Sequence, residues 1–420
     1  MKKLVCKAVA LSFTPVEVAG QLSHLPGLIF IDSSGNFSES DNNPISVVAV
    51  DPVKMFQGKD LDFSEIRKAV RHYELEYDGV TEAQASNLPL GGAFGWIGYD
   101  SAFCFGVFES CLIYVHQSRQ WYEVGDILHR LKPIREEVFT VGEFRSHTSK
   151  DSYINGVEKI KEYIRSGDIY QVNLTQKFSA EVESGSLFSL YDSLRRSAPA
   201  PMSVYCNFPD REVLSSSPET FLKMKGRSVQ TKPIKGTRPR YDDQHKDEAS
   251  AKDLLASVKE VSELVMITDL ERNDLGKICE YGTVNVDEML QLEKLEHVYH
   301  LVSTVSGLLR EGVDHWQAVS DCFPGGSITG APKKRAMEVI QELEEEERGL
   351  YTGVIGYFGF NDVSQFNIVI RTLVKEGGLL HYHVGAGIVA DSEPEAEYEE
   401  TIHKAKGIRR ALAQNALKKS

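Results

Sequence analysis

Apolar residues recur at helical spacing in several stretches of the chain. From Tyr153 to Ile164 they lie three or four positions apart, which predicts a helix that begins after Ser149 and ends before Gly167. The same spacing predicts three further helices, over about 247–267, from 332 to about 348, and over about 395–416.

Other stretches alternate apolar with polar residues or are rich in Val, Ile, Tyr and Thr, which predicts strands over 170–178, 353–360, 366–374 and 380–389. Because strands and helices do not alternate regularly, we expect an α+β fold, with extensive antiparallel sheets flanked by helices. No low-complexity linker interrupts the chain. We therefore predict one large unit, with a less regular amino-terminal subdomain over 1–145 and a second region over 146–420.

Composition narrows the class of protein. Hydrophobic residues make up 41% of the 420 positions, and the net charge is −14, which argues against nucleic acid or an anionic membrane as the main partner. The six cysteines form no CxxC pair, as expected for free thiols in a reducing compartment. The apolar run after Lys7 is too short for an export signal, and no stretch is long enough to span a bilayer. We expect a cytoplasmic protein.

The most informative segment is Pro-Ile-Lys-Gly-Thr-Arg-Pro-Arg at 233–240. Two prolines and a glycine restrict its backbone, so Lys235 is held on a defined loop. A lysine there can be a solvated surface charge, which is the commoner case, or a nucleophile.

Two pairs of glutamates lie three residues apart on predicted helices. Glu260 and Glu263 share one helix face, and Glu397 and Glu400 share another. Such pairs are often solvated faces with lysine partners. Four carboxylates from two helices could instead bind Mg²⁺, which prefers carboxylate oxygens and water.

These strings resemble the chorismate-utilising enzymes, and the resemblance covers about residues 148–415. Besides the octapeptide, it rests on Glu263-Leu-Val-Met-Ile-Thr-Asp-Leu-Glu-Arg-Asn-Asp, on Glu397-Tyr-Glu-Glu-Thr-Ile-His-Lys-Ala and on the glycine-rich loop 324–333. The resemblance implies a fold like that of anthranilate synthase component I.

The resemblance also implies residue roles. Lys235 is a covalent nucleophile, Glu219 is the acid that protonates the leaving C4 hydroxyl, and His300 lies against the substrate ring. The implied Mg²⁺ ligands are Glu263 and Glu400, with Glu260 and Glu397 holding its waters. The implied substrate-binding residues are Thr237, Thr329, Tyr357, Arg371, Gly385, Gly387 and Lys404.

Two positions indicate the branch of the family. Most members have alanine where this chain has Lys235, whereas aminodeoxychorismate synthases have lysine. Isochorismate and salicylate synthases carry a water-activating lysine where this chain has Gln171, so the resemblance implies ammonia as the nucleophile. It thus favours component I of an aminodeoxychorismate synthase, acting on chorismate for para-aminobenzoate and folate synthesis. Anthranilate synthase component I and a non-catalytic relative that scaffolds a glutaminase remain alternatives.

The resemblance also implies two binding partners, a glutaminase subunit and tryptophan. No nucleophilic-cysteine glutaminase pattern is visible, so ammonia would come from a separate glutaminase subunit in a heterodimer. Anthranilate synthases bind tryptophan through Leu-Leu-Glu-Ser, where this chain has Phe30-Ile31-Asp32-Ser33. Ser33 is therefore a possible contact for bound tryptophan.

Overall fold

The computed structural model describes residues 2–33, 44–71, 73–134, 138–295 and 297–417. The α-helices are α1 Pro15–Leu22, α2 Ser64–Val70, α3 Glu82–Ala85, α4 Lys150–Arg165, α5 Leu187–Ser197, α6 Gln244–Ala256, α7 Val258–Ile278, α8 His315–Cys322, α9 Lys333–Leu343, α10 Pro394–Lys404 and α11 Lys406–Leu417. Short 3₁₀ turns span Leu128–Arg130 and Gly326–Ile328. Among the described residues, no helix combines the length and the apolar character needed to cross a membrane.

The strands of the first 146 residues are β1 Lys2–Val9, β2 Ile29–Asp32, β3 Ile45–Ala49, β4 Lys54–Gly58, β5 Tyr73–Asp78, β6 Gly92–Ile97, β7 Phe103–Phe108, β8 Cys111–Val115, β9 Gln120–Val124, β10 Thr140–Val141 and β11 Arg145–Ser146. Those that follow are β12 Gln171–Ser184, β13 Met202–Asn207, β14 Arg211–Ser217, β15 Thr220–Lys225, β16 Ser228–Lys232, β17 Ile234–Pro239, β18 Asn285–Lys294, β19 Val298–Leu308, β20 Gly330–Ala331, β21 Val354–Gly359, β22 Val363–Ile368, β23 Thr372–Glu376 and β24 Leu379–Ile388.

These strands form two large sheets. The first has 14 strands, with the main order β10-β12-β24-β23-β14-β13-β2-β3-β8-β9-β1-β5, and the second has 10, with the main order β17-β19-β16-β15-β22-β21-β6-β7-β4. In the described residues β1 pairs with β5 in parallel, and the other strand pairings are antiparallel. The predicted α+β class with extensive antiparallel sheets is confirmed. Both sheets take strands from either side of residue 145.

The apolar side chains divide into layers around these sheets. One cluster joins facing strands of both sheets, including Ile31 of the first and Ile355 of the second. A second covers the outer face of the 14-stranded sheet under α1, α5 and α11, and a third lies under α2 and α8 on the other sheet. The molecule is therefore a two-sheet sandwich with helices outside both sheets.

Several predicted elements are confirmed, and three are divided. Helix α4 begins after Ser149, whose hydroxyl accepts the Ser152 N–H, and it ends before Gly167 at a φ of +81°. The predicted helix over 247–267 is wrong as one element, because Ser257 adopts an extended conformation and ends α6 while capping α7. Likewise, Ala405 separates α10 from α11, and the predicted strand 366–374 is two strands.

Candidate active site

Strand β17 carries Lys235 toward helix α7. Its pairing with β19 shifts register between Lys235, which lies opposite Leu301, and Thr237. The residue between them, Gly236, has a φ of +74°, and a Cβ there would lie 2.6 Å from the Leu254 side chain. A glycine at this bulge therefore lets β17 approach the helices closely.

Lys235 reaches one of the predicted metal ligands. Its Nζ lies 3.8 Å from Oε2 of Glu263, and both side chains are largely buried. Burial raises the pKa of Glu263, and Glu260 and Glu400 add to the rise, whereas Lys235 and Lys259 oppose it. The other carboxylate oxygen, Oε1, is buried without a hydrogen-bond partner.

Helix α10 brings the second pair of glutamates to the same region. Glu397 is buried, and its Oε1 accepts hydrogen bonds from Lys259 at 2.9 Å and from the Ser392 hydroxyl at 2.7 Å. Burial acts to raise the pKa of Glu400, but Lys404, 2.8 Å away, and Lys259 outweigh it and lower the pKa. Lys259 of α7 thus joins both glutamates of α10.

A divalent cation fits these residues in donor type. The Oε1 atom of Glu263 and the Oε2 atom of Glu397 are buried carboxylate oxygens without a partner, and Mg²⁺ prefers such oxygens. In the described part of the chain, however, no three His, Cys, Asp or Glu residues are gathered closely enough to hold a metal. The side-chain nitrogens of Lys235 and Lys259 lie among the carboxylates instead.

Glu219 lies between β14 and β15 and is 6% exposed. Burial raises its pKa, while the neighbouring Ser327 hydroxyl and the charges of Lys235 and Arg371 act against the rise. A raised pKa favours the protonated carboxyl that a general acid needs. The structure thereby brings Glu219, Lys235 and Arg371 together.

The sequence predicted that Arg371 lies within one continuous strand over 366–374, and this prediction is wrong. Arg371 lies between β22 and β23 with a φ of +50°, a left-handed conformation that is uncommon for residues other than glycine. No described residue forms an ion pair or hydrogen bond with its guanidinium, although its carbonyl accepts the Ser216 N–H. Burial lowers the pKa of Arg371, and Glu219 opposes this. A largely buried guanidinium without a partner is suited to a carboxylate ligand.

His300 lies on β19 and is 1% exposed. Its Nδ1 is 3.0 Å from the Thr237 hydroxyl oxygen, so the two predicted residues contact each other. Burial, aided by Arg371, lowers the pKa of His300 to about 4, and the imidazole is therefore neutral at neutral pH.

The glycine-rich loop places two hydroxyls in this region. The predicted Thr329 donates to the carbonyls of Gly325 at 3.0 Å and Gly326 at 3.2 Å, so its oxygen is left only to accept from a ligand. The Ser327 hydroxyl is buried beside Glu219 and acts to lower the pKa of that carboxyl. We did not single out Ser327 from the sequence.

Gly385 and Gly387 lie in β24, paired with β12. A Cβ at 385 would lie 2.8 Å from the Leu174 carbonyl oxygen, and one at 387 would lie 2.3 Å from Nε2 of Gln171. The neighbouring strand of this chain therefore already requires both glycines. Lys404 donates to the Gly385 carbonyl at 2.9 Å.

Two of the predicted binding residues, Tyr357 and Ser33, contact other parts of the protein. The Tyr357 ring lies in the core between the sheets, 5.4 Å from the Phe94 ring centroid, and burial raises the pKa of its hydroxyl. The Ser33 hydroxyl donates to the Pro201 carbonyl at 2.9 Å. A tryptophan contact at Ser33 stays a prediction.

Lys259 is the main residue that the sequence analysis missed. Partial burial acts to lower its pKa, but Glu397, Glu400 and Glu263 together raise it, so the ammonium form is favoured. One signal was available, because Lys259 and Glu263 are four residues apart on one helix and share a face. Its contact with Glu397, 138 residues away, has no local signal.

The protein is a two-sheet sandwich in which a buried lysine, acid and arginine lie beside two helices that carry carboxylates. Comparison with known proteins shows to which protein family such a chain belongs. The chain matches the chorismate binding enzyme family over residues 36–410. It is 40% identical over 362 residues to aminodeoxychorismate synthase component 1 of Bacillus subtilis (strain 168), and the aligned region covers 77% of each chain. It is 44% identical over 269 residues to an anthranilate synthase component 1 of Haloarcula marismortui, which covers 64% of this chain and 55% of that protein.

Solved structures agree on the fold. Anthranilate synthase component I from Streptococcus pneumoniae superimposes with a TM-score of 0.76 at 30% identity, covering 89% of this chain and 93% of that one. The menaquinone-specific isochorismate synthase from Escherichia coli superimposes with a TM-score of 0.78 at 19% identity, covering 97% of this chain and 94% of that one. The chain belongs to the chorismate binding enzyme family.

Proposed function

We propose that this protein is component I of an aminodeoxychorismate synthase, which aminates chorismate at C4 with ammonia to give 4-amino-4-deoxychorismate for para-aminobenzoate and folate synthesis. The observation that carries the proposal is that Lys235 lies near enough to the buried Glu219 carboxyl to act on its pKa, because an amine and a buried acid in one site suit covalent displacement of a hydroxyl. The 40% identity to the Bacillus subtilis protein supports the same branch.

In the first step, the uncharged amine of Lys235 forms a bond to C2 of the ring. The ring double bond shifts, the C4–O bond breaks, and Glu219 gives its proton to the departing hydroxyl, which leaves as water. Lys235 is then a secondary ammonium on the ring, and Glu219 is a carboxylate.

In the second step, ammonia forms a bond to C4. The double bond shifts back, the C2–Nζ bond breaks, and Lys235 leaves as a neutral amine. The new C4 ammonium returns one proton to Glu219, which restores the starting state. Two easier displacements thus replace one difficult displacement.

The other residues bind and orient the substrate in this proposal. The unpaired guanidinium of Arg371 binds a substrate carboxylate, and neutral His300, held by Thr237, packs against the ring. Glu263 and Glu400 would hold Mg²⁺ directly, and Glu260 and Glu397 would hold its waters. When bound, Mg²⁺ would supply positive charge opposite the ring carboxylate.

Anthranilate synthase component I is the second candidate, because the chain is 44% identical to such a protein over a shorter span. The experiment that separates the two is mass analysis of the product from chorismate, Mg²⁺ and ammonium. We expect a product that retains the enolpyruvyl carbons, whereas anthranilate has lost them.

Ammonia supply is tested in the same assay. We propose that a separate glutaminase subunit supplies it, so the purified chain should work with ammonium at alkaline pH, where NH₃ is populated, and not with glutamine. Glutamine-dependent turnover by the chain alone would contradict the proposed heterodimer.

A further inference from the structure

Helix α7 holds the glycine-rich loop 324–333 from one side. The Lys333 ammonium donates to the carbonyl of Cys322 at 3.0 Å and to that of Pro324 at 2.7 Å. It also pairs with the buried carboxylate of Asp274, in the second half of α7. The first residues of the loop and the helix that follows it are therefore tied to α7 by one charged contact.

Glu271 of α7 contacts the middle of the same loop. It is 4% exposed, and its Oε1 accepts the Gly326 N–H at 3.0 Å. A Cβ at Gly326 would lie 2.6 Å from the Leu270 side chain and 3.1 Å from Oε1 of Glu271. The loop backbone thus lies directly against the helix, and the carboxylate accepts one of its N–H groups.

This contact lies next to the hydroxyls of the candidate active site. The Gly326 carbonyl accepts from Thr329, and the following residue is Ser327, whose buried hydroxyl lies beside Glu219. A displacement of Gly326 would therefore move both hydroxyls relative to the proposed acid. Glu271 itself has no assigned contact with the substrate.

The surroundings of Glu271 link it electrostatically to Glu219. Burial raises the pKa of Glu271 to about 7, Asp274 and Glu219 add to the rise, and Lys333 and the Gly326 N–H oppose it. Cys322 also faces this group. Because repulsion between two carboxylates is mutual, an ionised Glu271 also acts to raise the pKa of Glu219.

We propose that Glu271 is a positioning residue for the reaction, which holds the loop around Ser327 against Glu219 through the Gly326 N–H and places a second carboxyl group near the acid. The inference rests on the proposed function, since Glu219 matters here as the proton donor.

Two variants separate the two parts of this role. Glu271→Gln keeps an acceptor for the Gly326 N–H but cannot ionise. We expect its kcat below neutral pH to stay within about threefold of wild type, and the alkaline limb of its kcat profile, measured at constant free NH₃, to move to lower pH. Glu271→Ala leaves the buried N–H without an acceptor, and we expect kcat to fall roughly ten- to hundredfold, with KM for chorismate nearly unchanged.

Asp269→Asn is the matched control, because Asp269 is an exposed acid on the same helix that pairs with Arg272. It should leave both the profile and kcat unchanged. A Glu271→Gln profile identical to wild type, together with full kcat in Glu271→Ala, would overturn the proposal. If the alanine variant does not fold, as thermal unfolding will show, the glutamine profile alone decides. Product mass from the wild type tests the proposed function separately, and the variant ratios apply to whichever product forms.

Discussion

Two buried polar regions of this molecule differ in whether their charged groups have hydrogen-bond or ion-pair partners. In the first, Asp32 of β2 has both carboxylate oxygens occupied, by Ser46 at 3.0 Å and by Arg195 at 2.6 Å. In the second, Glu263 and Glu397 each keep one buried oxygen without a partner. The guanidinium of Arg371 in that region likewise has no partner among the described residues.

The difference indicates what each region is for. Burying a charge costs free energy unless hydrogen bonds or an opposite charge compensate it. Around Asp32 the chain supplies that compensation itself, so removing one partner there should destabilise the fold. Around Glu263 the compensation is incomplete, as expected where a ligand completes the set. Substitutions around Glu263 should therefore lower activity, whereas substitutions around Asp32 should lower stability.

The largest effect is expected at Lys235. Lys235→Ala should lower the rate of aminodeoxychorismate formation about 10⁴-fold, because it removes the proposed nucleophile, while chorismate still binds. Lys235→Arg, which keeps a cation near Glu263 but not a nucleophilic amine, should lose as much. Wild-type protein incubated with chorismate but no ammonia should gain the mass of dehydrated substrate at Lys235. Wild-type rates in either variant would remove the main support for the branch assignment.

Glu263→Gln should come next, with a loss of about 10³-fold in kcat, because a metal ligand is removed. A chelator should abolish turnover of the wild type, and added Mg²⁺ should restore it. Without metal, the variant should unfold at the same temperature as wild type or higher, because it lacks a buried carboxylate with an unpartnered oxygen. Full activity in excess chelator would contradict the metal assignment.

Asp32→Asn should show the opposite pattern. It removes the more buried of the two carboxylates that pair with Arg195, the other being Asp192 at 3.6 Å, and should lower the free energy of unfolding by about 3 kcal/mol. The rate per folded molecule should stay within about twofold of wild type. Denaturant unfolding and active-site titration measure the two quantities. A large loss of kcat with unchanged stability would place Asp32 in the functional region instead.

The smallest effect is expected from the pH dependence of stability at Glu271. Its pKa is raised from 4.5 to about 7, so the folded state binds this proton more tightly than the unfolded state. The resulting destabilisation is absent below pH 4.5, grows as pH rises, and is complete above about pH 7. Glu271→Gln should therefore gain about 2 kcal/mol relative to wild type between pH 5 and 8, with Asp269→Asn unchanged. A pH-independent difference would contradict the assigned titration.

Local signals in the sequence predicted some of the helix faces that the candidate site uses. Glu260 and Glu263 share a helix face at a spacing of three residues, and this spacing survives although the predicted helix is broken at Ser257. The break was missed because apolar residues continue through it. Of these, Leu255 and Val258 are exposed, at 47% and 79%. Helical periodicity therefore extended the element past its end.

The geometry of Arg371 could not be predicted in the same way. Alternation along 366–374 indicated one strand, but the strands on either side belong to different sheets, because β22 pairs with β15 and β23 pairs with β14. The chain crosses between sheets at Arg371, and its left-handed conformation accompanies that crossing. Local patterns carry no information on which sheet a strand joins.

The sequence by itself determined the fold class and predicted residues for the site, because periodicity and short motifs depend on neighbours in the chain. Tertiary structure alone decided that Lys259 joins α7 to Glu397, and that Glu271 holds Gly326, 55 residues further along. It also decided which buried charged side chains have hydrogen-bond or ion-pair partners. Compensation depends on burial and on partners far apart in sequence, and both arise only when the sheets and helices pack.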